Sequence, residues 1–147
     1  MFDKTKHYEY IMDICVTTLH DVDCDFVGFA FQNQIGPDIK WHVVAGNQNE
    51  KYKHITLRYG KGIAGRVIST GSPMTIEDFP HDILGKALEY PIMLAEKLIY
   101  AYAVPIHFNG VPKGVFLIGQ RVRKGLSEAE KKVVLKQARS IEDTLSV

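Results

Sequence analysis

The sequence predicts an α+β fold, a central antiparallel sheet carried between two terminal helices, and three observations predict it. Apolar residues recur with helical period at both ends of the chain, over Thr5–Leu19 and again from Val134 to Leu145. Between these ends, alternating strands follow one another across short turns, which pairs them antiparallel. The third observation is the stretch from Leu57 to Asp78, LRYGKGIAGRVISTGSPMTIED, which reads as strand end, glycine turn, short helix and strand.

Composition limits the possibilities. A chain of 147 residues, 46% of them hydrophobic, is long enough for one domain with a sizeable core and too short for two, so 1–147 reads as a single domain. The formal net charge is +1 and no run of Lys or Arg exceeds two residues, which argues against a nucleic-acid partner. No apolar stretch nears the roughly 20 residues of a membrane span, and the N-terminal MFDKTKHYEY is too polar for a signal peptide. The expected location is therefore the cytoplasm, with no membrane partner. Cys15 and Cys24 fit that compartment as buried reduced thiols, one on a helix and one at a strand entrance. His7, His20, His42, His54, His81 and His107 are scattered without ligand spacing, so neither a metal nor a cofactor is expected.

Taken in order, the first helix carries Tyr8, Ile11 or Met12, Cys15 and Leu19 on one apolar face. After the acidic turn Asp21–Asp23, Phe26–Phe31 alternates as a strand, with Val27, Phe29 and Phe31 on one face and Phe26, Gly28 and Ala30 on the other. The small residues of that second face leave room above the sheet for a packed helix or a cavity. Gln34–Asp38 is a turn cluster, and Ile39–Ala45 is the next strand, with Ile39, Trp41, Val43 and Ala45 assigned to one face. Asn47–Lys53 is polar loop, and Ile55–Tyr59 leads into the glycine turn. Pro73–Ile76 is a short strand. The region Ile83–Lys97 is divided by Tyr90-Pro91, because proline suits the first turn of a helix and disrupts its interior. Ile99–Phe108 and Val111–Arg121 are the longest strands, joined by the hairpin dipeptide Asn109-Gly110. Val115 to Ile118 is apolar on both faces, which predicts a central strand. Ser127 with Glu130 is a capping box for the last helix, whose stripe is Val134, Ala138, Ile141 and Leu145. Both terminal helices are expected on one face of the sheet.

Gly60-Lys61-Gly62 followed by the helix from Ile63 gives the chain its functional hint. The first N–H groups of such a helix lack intrahelical partners and lie at the positive end of its dipole, where an anion or a ligand oxygen can be held. Pro91 opens a second helix start of the same kind.

The order of elements, together with a hydrophobic strand, G-x-G-I-A-G, an apolar helix, T-G-x-P and a strand ending in Asp, resembles a GAF domain over essentially the whole chain. The resemblance implies an antiparallel sheet of about six strands, with terminal helices on one face and a ligand pocket on the other. A strand-2 tryptophan, the K-G-I-A-G turn and a Y-P-I helix start are further similar to the single-domain GAF nitrate receptors that act with an oxygen-sensing histidine kinase. That similarity implies Trp41 as an indole donor, Ile63 and Ala64 as backbone donors after Gly62, Ile92 as a backbone donor at the second helix, and Tyr90 and Pro91 as lining. It also implies nitrate as ligand, a sensor histidine kinase as partner, and a monomer or weak homodimer without catalytic residues. The residues suit a small, flat, weakly hydrated anion, since they offer N–H donors among apolar side chains.

Other readings stay open on the residues alone. Trp41 fits a core position whose indole seeks a carbonyl, and Lys61 fits a solvated turn tip better than an anion partner. Some GAF proteins are free-methionine sulfoxide reductases, but those rely on cysteines near the pocket and Lys51–Gln120 has none. Trp41, Tyr90 and Tyr102 could also stack the ring of a nucleotide or another organic ligand.

Overall fold

A computed structural model of the chain describes residues 1–32 and 36–146. Among them the elements run α1 (Lys4–Asp21), β1 (Phe26–Gln32), β2 (Ile39–Ala45), β3 (Thr56–Leu57), α2 (Gly62–Thr70), β4 (Met74–Ile76), α3 (Pro91–Ala95), β5 (Tyr100–Phe108), β6 (Val111–Gln120) and α4 (Glu128–Leu145). The strands form one antiparallel sheet in the order β3-β2-β1-β6-β5-β4. This is the α+β architecture expected, with six strands. Turns of 3-10 helix at Lys51–His54 and Ala87–Glu89 precede β3 and α3.

Local chemistry accounts for most boundaries. Asp3 caps α1 by accepting from the N–H groups of Thr5 and Lys6, at 2.9 and 3.2 Å. At α4 the Ser127 hydroxyl accepts from Glu130 N–H while the Glu130 carboxylate accepts from Ser127 N–H, closing the predicted capping box. Asn109 and Gly110 both have positive φ, 53° and 76°, the combination a tight hairpin turn requires. Pro91 is the first residue of α3, as its missing N–H dictates. The turn predicted at Gln34–Asp38 lies partly outside the described residues.

The sheet divides two cores. On one face α1 and α4 bury Ile11, Cys15, Val134 and Ile141 against Val27, Phe29, Val104 and Phe116. On the other, α2 and α3 bury Ile63, Val67, Ile92 and Met93 against Phe26, Ala30, Trp41 and Leu117. β1 and β6 pair with each other at the centre and are covered on both sides, which is why both read as near-continuous apolar runs.

One predicted face is corrected. Ile39 and Trp41 face α2 and α3, whereas Val43 and Ala45 face the terminal helices. The cause is a bulge: Phe29 pairs with Val43 but the next residue, Ala30, pairs with Trp41, so His42 is an extra residue that turns the rest of β2 over. A strict alternation from the sequence could not register that insertion.

Candidate functional site

The glycine turn is built by close backbone approach. Gly60 N–H donates to the Gly65 carbonyl at 2.9 Å, folding the turn onto the first turn of α2. Gly62 has φ 63°, and the space where its side chain would stand is filled by the carbonyl of Glu89. α2 therefore begins directly against the residue pair that starts α3. Lys61, the residue before α2, supplies no side-chain cap to its first N–H groups. Ile63 and Ala64, which carry two of those groups, are buried at 2% and 0% exposure, so water does not readily take the place of a cap.

α3 has only five residues, too few to hold a helix by its own hydrogen bonds, so its position is set by what grips it. Tyr90 is fully buried at its start, and its hydroxyl donates to the Leu84 carbonyl at 2.6 Å. At the other end Glu96 is also fully buried, and its carboxylate accepts from Arg121 at 2.6 Å and from the backbone N–H of Gln48 at 2.8 Å. Arg121 donates further to the carbonyls of Glu96, Asp25 and Gly46, while Asn49 donates to that of Ala95. This clamp was not legible in the sequence, since its members lie far apart along the chain and no local motif joins them.

Trp41 reaches the same core from the side. The predicted small face of β1 holds its indole: a side chain on Gly28 would meet Cζ3 and Cε3 of the ring at 3.0 and 3.1 Å. Those atoms belong to the six-membered ring, on the edge remote from the pyrrole nitrogen. Nε1 is buried and has no hydrogen-bond partner among the described residues, an arrangement that costs about 1–3 kcal/mol if left so. The indole has thus not found the carbonyl that a purely structural tryptophan would seek.

Trp41, Ile63, Ala64, Tyr90 and Ile92 belong to one apolar cluster, Gly62 abuts Tyr90, and Pro91 is half-buried beside it. Tyr102 does not join them: it lies on the opposite face, beneath the ammonium of Lys131, which removes it as a stacking platform for this site. Lys61 is exposed and pairs with Glu89 at 3.7 Å, in keeping with a solvated turn tip. Arg66 on α2 has a buried Nε without a partner among the described residues.

The cysteines lie elsewhere. Cys15 is in the core under the terminal helices, and Cys24, half-buried where full burial was expected, packs against that same core. Burial pushes both thiols up to about 12. They are unpaired, protonated at neutral pH and on the wrong face of the sheet to serve Trp41. Among the described residues no helix is long and apolar enough to cross a membrane.

The chain matches no protein-family profile and no curated protein sequence. Solved structures do match. A nitrate-binding-site mutant of the NreA protein from Staphylococcus aureus is 32% identical, covers 86% of this chain and 94% of its own, and superposes with a TM-score of 0.77. The GAF domain of a phosphoenolpyruvate-protein phosphotransferase from Coxiella burnetii is 18% identical over 94% of this chain and 81% of its own, with a TM-score of 0.79. A free methionine-R-sulfoxide reductase from Neisseria meningitidis, 15% identical over 97% of this chain and 79% of its own, has a TM-score of 0.77. The last two share the fold alone, whereas the first shares sequence across nearly its whole length, and the chain accordingly belongs to the GAF family, among the proteins similar to NreA.

Proposed function

We propose that this protein is a receptor for nitrate that modulates a sensor histidine kinase. The observation that carries the reading is the unpartnered, buried indole N–H of Trp41 in the cluster that also holds the uncapped start of α2. Nitrate is planar, singly charged and weakly hydrated. An apolar enclosure with N–H donors at Trp41, Ile63, Ala64 and Ile92 compensates its modest desolvation without a full counter-charge, while Gly62, Tyr90 and Pro91 shape the wall. The similarity to NreA, a protein studied at its nitrate-binding site, supports the same assignment. A reductase reading is disfavoured because both thiols are protonated and lie on the opposite face.

Size limits the affinity. Nitrate has four heavy atoms, and the best small ligands gain about 1.5 kcal/mol per atom, so the dissociation constant is on the order of tens of micromolar or weaker. Calorimetry with nitrate, a cyclic nucleotide and free methionine sulfoxide is the test. Heat with nitrate alone, in the micromolar to millimolar range, is expected, and binding of either other ligand without nitrate would overturn the assignment. Reconstituted kinase should change its autophosphorylation with nitrate only when this protein is present.

A further inference from the structure

A cleft of about 410 Å³ opens between α1, β2 and the 3-10 turn at Lys51–His54, and nothing described so far uses it. Lys4, Lys40 and Lys53 stand around it, with Tyr8 and Tyr52 as walls and Trp41 at its inner side. Lys53 pairs at the surface with Glu50, at 3.4 Å, while among the described residues Lys4 and Lys40 have no carboxylate within ion-pair distance. The cleft thus concentrates unneutralised positive charge on a chain whose net charge is only +1. His42, which also lines it, titrates below its ordinary value, first through burial and then through the fields of Lys40 and Lys4, so those ammonium groups act on the cleft itself.

Its placement in the sheet explains where it leads. β3 pairs only with Ile39 and Lys40, so from Trp41 onward β2 is an edge strand, and the cleft sits at that edge. Trp41 both lines this cleft and belongs to the α2–α3 cluster, so the cleft borders the residue that carries the buried, unpartnered indole N–H. Three exposed lysines thus stand around a cleft whose lining includes Trp41, a residue that is itself only 3% exposed.

We propose that this cleft is the entrance through which the anion reaches Trp41, with Lys4, Lys40 and Lys53 steering it electrostatically; the proposal rests on the receptor reading above. Exposed charges at this range act through water, so each contributes modestly and salt screens the effect within about a Debye length. The field attracts the anion without any of the lysines touching it. Selectivity for a weakly hydrated ion stays with the buried donors.

The test compares the rate of nitrate association, followed by the relaxation of Trp41 fluorescence, in the wild type, in Lys4→Gln/Lys40→Gln/Lys53→Gln, and in Lys132→Gln/Lys136→Gln/Arg139→Gln, which removes equal charge from exposed sites of α4 outside the cleft. Ionic strength is set with sodium fluoride, whose anion is strongly hydrated. The cleft variant should take up nitrate about fivefold to tenfold more slowly at low ionic strength and within about twofold of the wild-type rate at half-molar salt, while the second variant stays within about twofold throughout. Equal association rates of the cleft variant and the wild type at low salt, or equal slowing in both variants, overturn the entrance. A wild type that does not respond to nitrate overturns the receptor reading and the entrance with it.

Discussion

The carbonyl of Glu89 occupies the space beside Gly62 in which any side chain would have to stand. This single contact joins the glycine turn before α2 to the 3-10 turn before α3, although the two residues belong to separate segments of the chain. It brings two helix starts to one point of the core. Residue 62 must be glycine twice over, because its φ of 63° is also one that side chains disfavour.

Gly62→Ala should therefore destabilise the protein by more than about 2 kcal/mol, combining a left-handed backbone penalty with displacement of the 89–90 backbone. Urea denaturation measures the loss, and the stabilisation conferred by nitrate should disappear alongside it. A wild-type midpoint would mean that the two turns do not meet.

Trp41→Phe keeps an aromatic ring over Gly28 and removes only the N–H. Stability in the absence of ligand should hold or rise slightly, since a buried donor without a partner is lost. Nitrate affinity should fall by about tenfold, the equivalent of roughly 1.4 kcal/mol for one charge-assisted hydrogen bond. Calorimetry on the two proteins decides, and unchanged affinity would exclude the indole as a ligand donor.

The clamp on α3 gives a third expectation. Glu96→Ala strands the Arg121 guanidinium in a largely enclosed setting and releases the C-terminal end of α3, and should cost about 3–5 kcal/mol. Replacing both residues together by apolar ones should cost less than the sum of the single changes, because neither charge is then left without its partner. A double-mutant cycle by chemical denaturation measures the difference.

The thiols predict a pH window. Between 9.0, their ordinary value, and about 12, the folded chain holds protons on Cys15 and Cys24 that the unfolded chain has released. Their contribution to stability is complete below pH 9 and is lost as pH rises toward 12. At pH 8 both should react slowly with a disulfide reagent in the native protein and rapidly in denaturant. Fast native reaction would mean that the helix side of the sheet opens.

Much of this protein was determined by neighbouring residues alone. Asn109-Gly110, Ser127 with Glu130, Gly71 after α2 and Pro91 at the start of α3 act within a few residues of themselves, so backbone sterics and capping chemistry fix those elements wherever the chain later folds. Near-continuous apolar runs likewise made β1 and β6 central. Only the tertiary structure decided which side of β2 each residue takes, since the bulge at His42 exists in the pairing of two strands and not in either one. The meeting of Gly62 with Glu89, the clamp of Arg121 on Glu96 and the lysine cleft beside Trp41 share that origin. Each depends on contacts between segments distant along the chain, whose approach is set by burial of the whole core, and a sequence carries no local signal for a distance that packing alone determines.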